Sequence, residues 1–296
     1  MNHPGWEGDP ILDDLAAETE SLVEVVDGLA EGADGGIDTV TPSEPWTVRD
    51  QISHLTGFDM KARIAATEPE RFVGELQTDF GDGGDALMES HFAAGRGLSP
   101  TGVVDWWTTE RRALIAAFRS LDPADRIPWY GPPMKTRSSA EARLMETWAH
   151  GVDVVDALGV VRPSSDRLFH VAELGVKTFR FSFQNRGTEV PETRVRVVLT
   201  GPSGTVRSWN DDNEDSVSGP VEDFCLVVAQ RRNVADTDLQ VDGPVATTWM
   251  SLAQVFASPP APAARRPIEP RVRSDACVHF FAENAVRISW PGRGGA

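Results

Sequence analysis

Apolar residues recur at the helical period over residues 10–32, at Ile11, Leu15, Leu22, Val25, Val26 and Leu29, on an otherwise acidic segment. The pattern predicts an amphipathic helix, broken by the EGADGG run that follows. Thr47 and Asp50 then form a capping box ahead of a second helix, predicted to run to about residue 66. Residues 68–98 are acidic and carry the breaker GDGGD at 81–85, which predicts irregular chain with a short helix after the breaker. A third helix is predicted from about Gly102 to Leu121, with Trp106, Leu114, Ile115 and Phe118 for the core, and PADRIPWYGPP reads as a proline-rich connection. A fourth spans about Ser138 to Leu158 and is stopped by Gly159 and Pro163. Four helices with one long insertion predict a bundle over residues 1–162.

The period changes after Pro163. TRVRVVLT at 193–200 alternates strictly, with Val195, Val197 and Leu199 on one face, so a half-buried strand is predicted. GPSG supplies a turn and TVRSW a hairpin partner. VEDFCLVVAQ at 221–230 is compact and apolar, and a helix is predicted from Pro244 to about residue 257, with the proline in its first turn. Residues 163–258 therefore form a small α/β domain, and the fold class is α+β. From 259 to 296 the chain turns rich in Pro, Ala and Arg before an apolar end, a composition for a disordered or docking tail.

Charge narrows the partners. The formal net charge of −17 repels phosphate backbones and anionic lipid, which excludes nucleic acid and membrane surfaces as partners. No apolar run approaches the ~20 residues of a spanning helix, and the start has neither a basic nor an apolar leader region. The two cysteines, Cys225 and Cys277, are far apart, which suits a reducing cytoplasm, and Cys225 lies in an apolar run where inert burial is expected. The expected partner is a small molecule, bound by a monomer or a homodimer.

The fourth helix carries the chemistry. At ~100° per residue, Trp148, Gly151, Val155 and Leu158 return to the side of Leu144, while Met145, Ala149, Val152 and Val154 cover most of the remainder. A helix apolar nearly all round is buried. Set into it are Glu146, His150 and Asp153, within roughly 60° of one another. A carboxylate and an imidazole at i and i+4 share one face at ligand-sharing distance, and a buried carboxylate is costly unless paired or metal-bound. Such a pair also occurs as an ordinary ion pair on a solvated stripe. His54, one turn from Asp50 and Phe58 on the second helix, is a packed core histidine or a third ligand; with Glu146 and His150 it completes two histidines and a carboxylate. That set holds zinc with one position open, or iron as a facial triad, and nickel is a further alternative. Asp153 either takes the imidazole N–H of a ligand or caps a solvent-facing pair. His3, His91, His170 and His279 are read as structural or exposed.

WTVRDQISHL followed far downstream by RLMETWAHGVDVVDALG resembles the DinB-like metal-binding bundle of the mycothiol-dependent maleylpyruvate isomerases, over roughly residues 8–160. The second half resembles, more weakly, the sterol-carrier-like α/β domain that follows the bundle in that family. The resemblance implies a metal triad of His54, Glu146 and His150. It also implies an arginine near the last strands that helps bind thiol or substrate, for which AQRRN offers Arg231 or Arg232. The 68–98 insertion and the tail set this chain apart as a separate metal-binding branch. The function so implied is a metal-dependent isomerase or thiol transferase using mycothiol. Two alternatives stand beside it: a thiol-independent hydrolase, lyase or cyclase driven by metal-bound water or a polarised carbonyl, and a non-enzymatic protein whose metal is closed off by a fourth ligand from Asp153, Asp59 or His91.

Overall fold

The computed structural model describes residues 2–80 and 84–256; the tail predicted at 259–296, with His279, lies outside the described residues. The chain opens with helix α1 (Ile11–Val26), followed by α2 (Val48–Thr67), α3 (Pro69–Phe80), α4 (Asp85–Arg96) and α5 (Pro100–Ser120). A short hairpin of β1 (Arg126–Ile127) and β2 (Met134–Lys135) leads into the long α6 (Thr136–Leu158). The capping box at Thr47 and Asp50 closes in both directions and sets where α2 begins. Gly159, at φ 64°, ends α6 in the left-handed conformation that a helix C-terminus favours.

Four of these helices form the bundle: α1 packs on α6 and α5, and α2 on α5 and α6. Leu15, Leu22, Ile52, Leu55, Leu114, Phe118 and Leu144 fill it, each fully buried. The insertion is a correction to the sequence reading. Residues 69–80 form a helix, α3, where irregular chain is expected, while the helix expected after the breaker is present as α4. The acids of α3 misled because they are partners and not solvent groups: Lys61 donates to Glu75 (2.9 Å) and Asp79 (2.9 Å), and Tyr130 donates to Asp79 (2.9 Å). Phe72, Leu87 and Phe92 bury the apolar sides of the pair.

The second half begins with α7 (Leu168–Lys177) and α8 (Phe179–Asn185), neither of them predicted. β3 (Arg196–Thr200) and β4 (Val206–Trp209) form the expected antiparallel hairpin, with Val197 and Leu199 buried and Val195 just ahead of them. β5 (Ser216–Pro220) runs parallel to β3, α9 (Val221–Val228) follows, and β6 (Gln240–Asp242) pairs antiparallel with β5, giving the order β4-β3-β5-β6. The last helix, α10 (Pro244–Leu252), starts on its proline as predicted. The class is α+β. Cys225 is buried in α9 and its thiol is pushed well up by burial, so it is inert. Among the described residues no helix is long and apolar enough to cross a membrane.

The two halves meet by charge as well as by apolar contact. Trp148 and Val152 of α6 share one core cluster with Leu168 and Phe169 of α7. Around them, bundle acids face later bases: Glu18 meets Arg162 (2.7 Å) and Arg167 (3.1 Å), Asp14 meets His170 (2.9 Å), and Glu141 meets Lys177 (3.3 Å).

At the bundle centre Asp59, with no exposure, accepts from Arg111 Nε and Nη2 (2.7 and 3.0 Å), from Arg143 Nε (2.9 Å) and from Trp107 Nε1 (3.2 Å). Removing this carboxylate leaves two guanidiniums buried without their counter-charge. Asp59→Ala should therefore cost about 3–5 kcal/mol, read as the shift of the urea unfolding curve.

His91 on α4 lies flat against Gly57, where a Cβ would fall 2.2 Å from its Nδ1. Burial, with the Lys61 charge beside it, pushes the His91 pKa from its ordinary 6.5 down to about 4. The unfolded chain takes up that proton first as pH falls, so stability drops between 6.5 and 4 and levels off below 4. The contribution is at most about 3 kcal/mol. His91→Phe should lose less unfolding free energy than the unaltered chain as the pH falls from about 7 to about 4, by up to that amount.

Candidate metal centre

Glu146 and His150 stand one turn apart on α6, and His54 faces them from α2. His150 Nε2 lies 3.1 Å from Glu146 Oε2, and His54 Nε2 lies 3.7 Å from the same oxygen. One donor atom from each of the three residues falls within 4.8 Å of the others. Donors ~2.1 Å from a tetrahedral ion stand about 3.4 Å apart, so the three are spaced as ligands of one ion. Their side chains are 12, 24 and 12 % exposed for His54, Glu146 and His150, so the cluster is largely buried with a small part of each side chain at the surface.

The electrostatics suit a cation. Burial, reinforced by the neighbouring His150, brings the His54 pKa to about 3, so its imidazole is neutral and offers a lone pair. Burial works to raise the Glu146 carboxyl, but hydrogen bonds with His150 and His54 and the charge of Arg143 outweigh it and hold the group well below its usual range. His54 Nδ1 is buried without a hydrogen-bond partner, which leaves Nε2 as the nitrogen turned to Glu146. Two imidazoles and a carboxylate are the donor set of an open zinc site. Zinc fits these donors, as do ferrous iron and nickel.

Of the three side chains that could supply a fourth ligand, the two carboxylates are engaged elsewhere and His91 stands outside the cluster. Asp59 is held by Arg111 and Arg143. Asp153 Oδ2 accepts from the Ser43 hydroxyl (2.9 Å) and from Arg231 Nη2 (2.8 Å). His91 packs edge-on against Phe58, which itself packs on His54.

Gln51, and not Asp153, holds the His150 ring, with its Oε1 2.5 Å from His150 Nδ1. The sequence reading does not single out Gln51, although it sits three residues before His54 and so shares its helix face. Nor does it single out Trp46, whose ring lies nearly parallel to His150 at 6.0 Å and meets His54 at 5.1 Å and Phe92 of α4 at 5.0 Å.

Arg231 and Arg232 both reach back to α6, with different partners. Arg231 pairs with Asp153, one turn beyond His150, while Arg232 grips Asp156 through both terminal nitrogens (2.8 and 2.7 Å), about two turns away. Arg231 is therefore tied to the α6 position nearer His150, and Arg232 to the one farther away.

The chain is thus a helical bundle that presents two histidines and a carboxylate from facing helices, with an α/β layer docked along one of those helices. Residues 15–155 match the family described as mycothiol maleylpyruvate isomerase N-terminal domain. Two uncharacterised proteins, from two strains of Mycobacterium tuberculosis, are each 38% identical over 261 residues, covering 88% of this chain and 98% of theirs. The crystal structure of a mycothiol-dependent maleylpyruvate isomerase superposes with a TM-score of 0.52 at 18% identity, over 82% of this chain and 95% of that one, and a histidine-to-alanine mutant of it gives the same figures. The chain belongs to the mycothiol maleylpyruvate isomerase family.

Elemental analysis of the purified protein should find about one divalent ion per chain. His150→Ala should lower that content at least tenfold, and an unchanged content would place the metal elsewhere.

Proposed function

We propose that this chain is a metal-dependent enzyme that uses a small thiol, mycothiol, in isomerisation or S-transfer on an electrophilic small molecule. The three-ligand cluster, partly exposed and with its neighbouring carboxylates already engaged, is the observation that carries this reading. When bound there, a divalent ion, zinc first, supplies a Lewis acid with a free position at which a thiol loses its proton near neutral pH.

The chain's own groups prepare that chemistry. Neutral His54 and ionised Glu146 need no proton movement to act as donors. Trp46 and Phe58 wall the histidines with rings and limit the water that reaches them. Arg231 brings a guanidinium for an anionic group of the substrate, and Asp153 and Arg232 place it by joining the second domain to α6. A thiol sulfur adding to an activated C=C leaves a single bond that rotates, and elimination then returns the thiol and the trans product. Addition with loss of a leaving group gives S-transfer instead.

Metal-loaded protein incubated with mycothiol and maleylpyruvate, the substrate named for the structural relative, should convert it only when both metal and thiol are present. Arg231→Ala should lower kcat/KM about 10- to 100-fold, the worth of one charged hydrogen bond. Conversion in thiol-free buffer that a chelator abolishes would instead support metal-activated water.

A further inference from the structure

The amide of Gln51 links the candidate ligand His150 to the loop that precedes α2. The loop closes on itself first. The Thr41 backbone N–H and the Thr41 hydroxyl both donate to the Trp46 carbonyl, at 2.8 and 2.9 Å, and a bridge between Val40 and Thr47 flanks them. With its proton committed to that carbonyl, the Thr41 oxygen can only accept. It does so from Gln51 Nε2, at 2.8 Å. That contact decides which end of the Gln51 amide is nitrogen, and the remaining atom, Oε1, is a pure acceptor turned to His150 Nδ1 at 2.5 Å. An acceptor in contact with Nδ1 requires a proton on Nδ1.

We propose that Gln51 is a positioning residue that fixes the proton of His150 on Nδ1 and so commits Nε2, 3.1 Å from Glu146, to ligation. A neutral imidazole free in water prefers its proton on Nε2, the opposite arrangement, so the preference has to be imposed. Gln51 is buried with no exposure, which keeps water from replacing it as acceptor. His54 has no such partner on its Nδ1. The two histidines are therefore unequal: His150 is held in tautomer and ring angle by a chain of hydrogen bonds through Gln51 and Thr41, while His54 is held by ring packing against Trp46 and Phe58.

Two measurements separate this assignment from the metal centre on which its consequence rests. In metal-free protein, long-range nitrogen–proton NMR spectra should show a protonated Nδ1 at His150, and Gln51→Leu should lose that signature. Thr41→Val, which removes the hydroxyl that orients the amide, should weaken it, and Thr41→Ser should retain it. In chelator competition, Gln51→Leu should bind zinc about 10- to 100-fold more weakly. Gln51→Glu, which keeps an acceptor facing Nδ1, should bind at least as tightly as the unaltered chain, an outcome that a merely structural glutamine does not give. A bare Nδ1 in the unaltered protein, or zinc affinity unmoved by Gln51→Leu, overturns the proposal. A protonated Nδ1 in a chain that takes up no zinc supports the Gln51 assignment and overturns the metal centre.

Discussion

One carboxylate ties the bundle together. Asp59 on α2 accepts from Arg111 on α5 and Arg143 on α6, and Arg111 goes on to bond Thr19 on α1 and Thr147 on α6. All four bundle helices are thus joined through charges that water does not reach. A buried charge tolerates no slip of one helix along another, because every alternative leaves it unpaired, so the cluster sets the relative height of α2 and α6. His54 and Glu146 inherit that height: the first lies five residues before Asp59, the second three residues after Arg143. Two guanidiniums against one carboxylate leave a net positive charge in the core, and Arg143 brings it near Glu146, where it helps keep that carboxylate ionised. The cluster therefore supports the candidate metal centre twice, by placing its helices and by balancing its charge.

The second domain is oriented by the same physics at lower depth. Acids on α1 and α6 face bases contributed from Arg162 onward, and the pairing is one-sided enough to define a single docking. Its functional result is local. Arg231 follows Gln230, a non-glycine residue at φ 59°, and this left-handed step ends α9 and turns the following arginines back toward α6. The insertion works from the other side of the cluster, with Phe92 of α4 braced against Trp46 and His91 behind Phe58. The 68–98 segment thus lies against the histidine side of the site.

Legibility from sequence followed how local the cause was. The four bundle helices, the Thr47 cap, the Gly159 stop, the β3–β4 hairpin and the proline start of α10 all follow from periodicity or from capping chemistry within a few residues. The shared face of Glu146 and His150 follows from helical rotation alone. The failures have a common origin. α3 reads as irregular because Glu75 and Asp79 look solvent-bound until Lys61, back on α2, is seen between them, whereas the short helix expected after the breaker is α4. Asp153 looks like the natural partner of His150 because it is near in sequence, yet it turns to Ser43 and Arg231 while Gln51 arrives from another helix.

The four bundle helices and their buried faces, the i,i+4 placement of a carboxylate and an imidazole, and, through resemblance, the family are all legible in the amino-acid sequence. Local hydrogen bonds and hydrophobic period are enough for that, since both act over one or two turns. The packing of distant segments alone brings His54 to the pair at ligand spacing, the Gln51 amide against His150 Nδ1, and Arg231 against Asp153. Those outcomes depend on where buried charges force distant segments to stop, and a charge finds its partner across space, not along the chain.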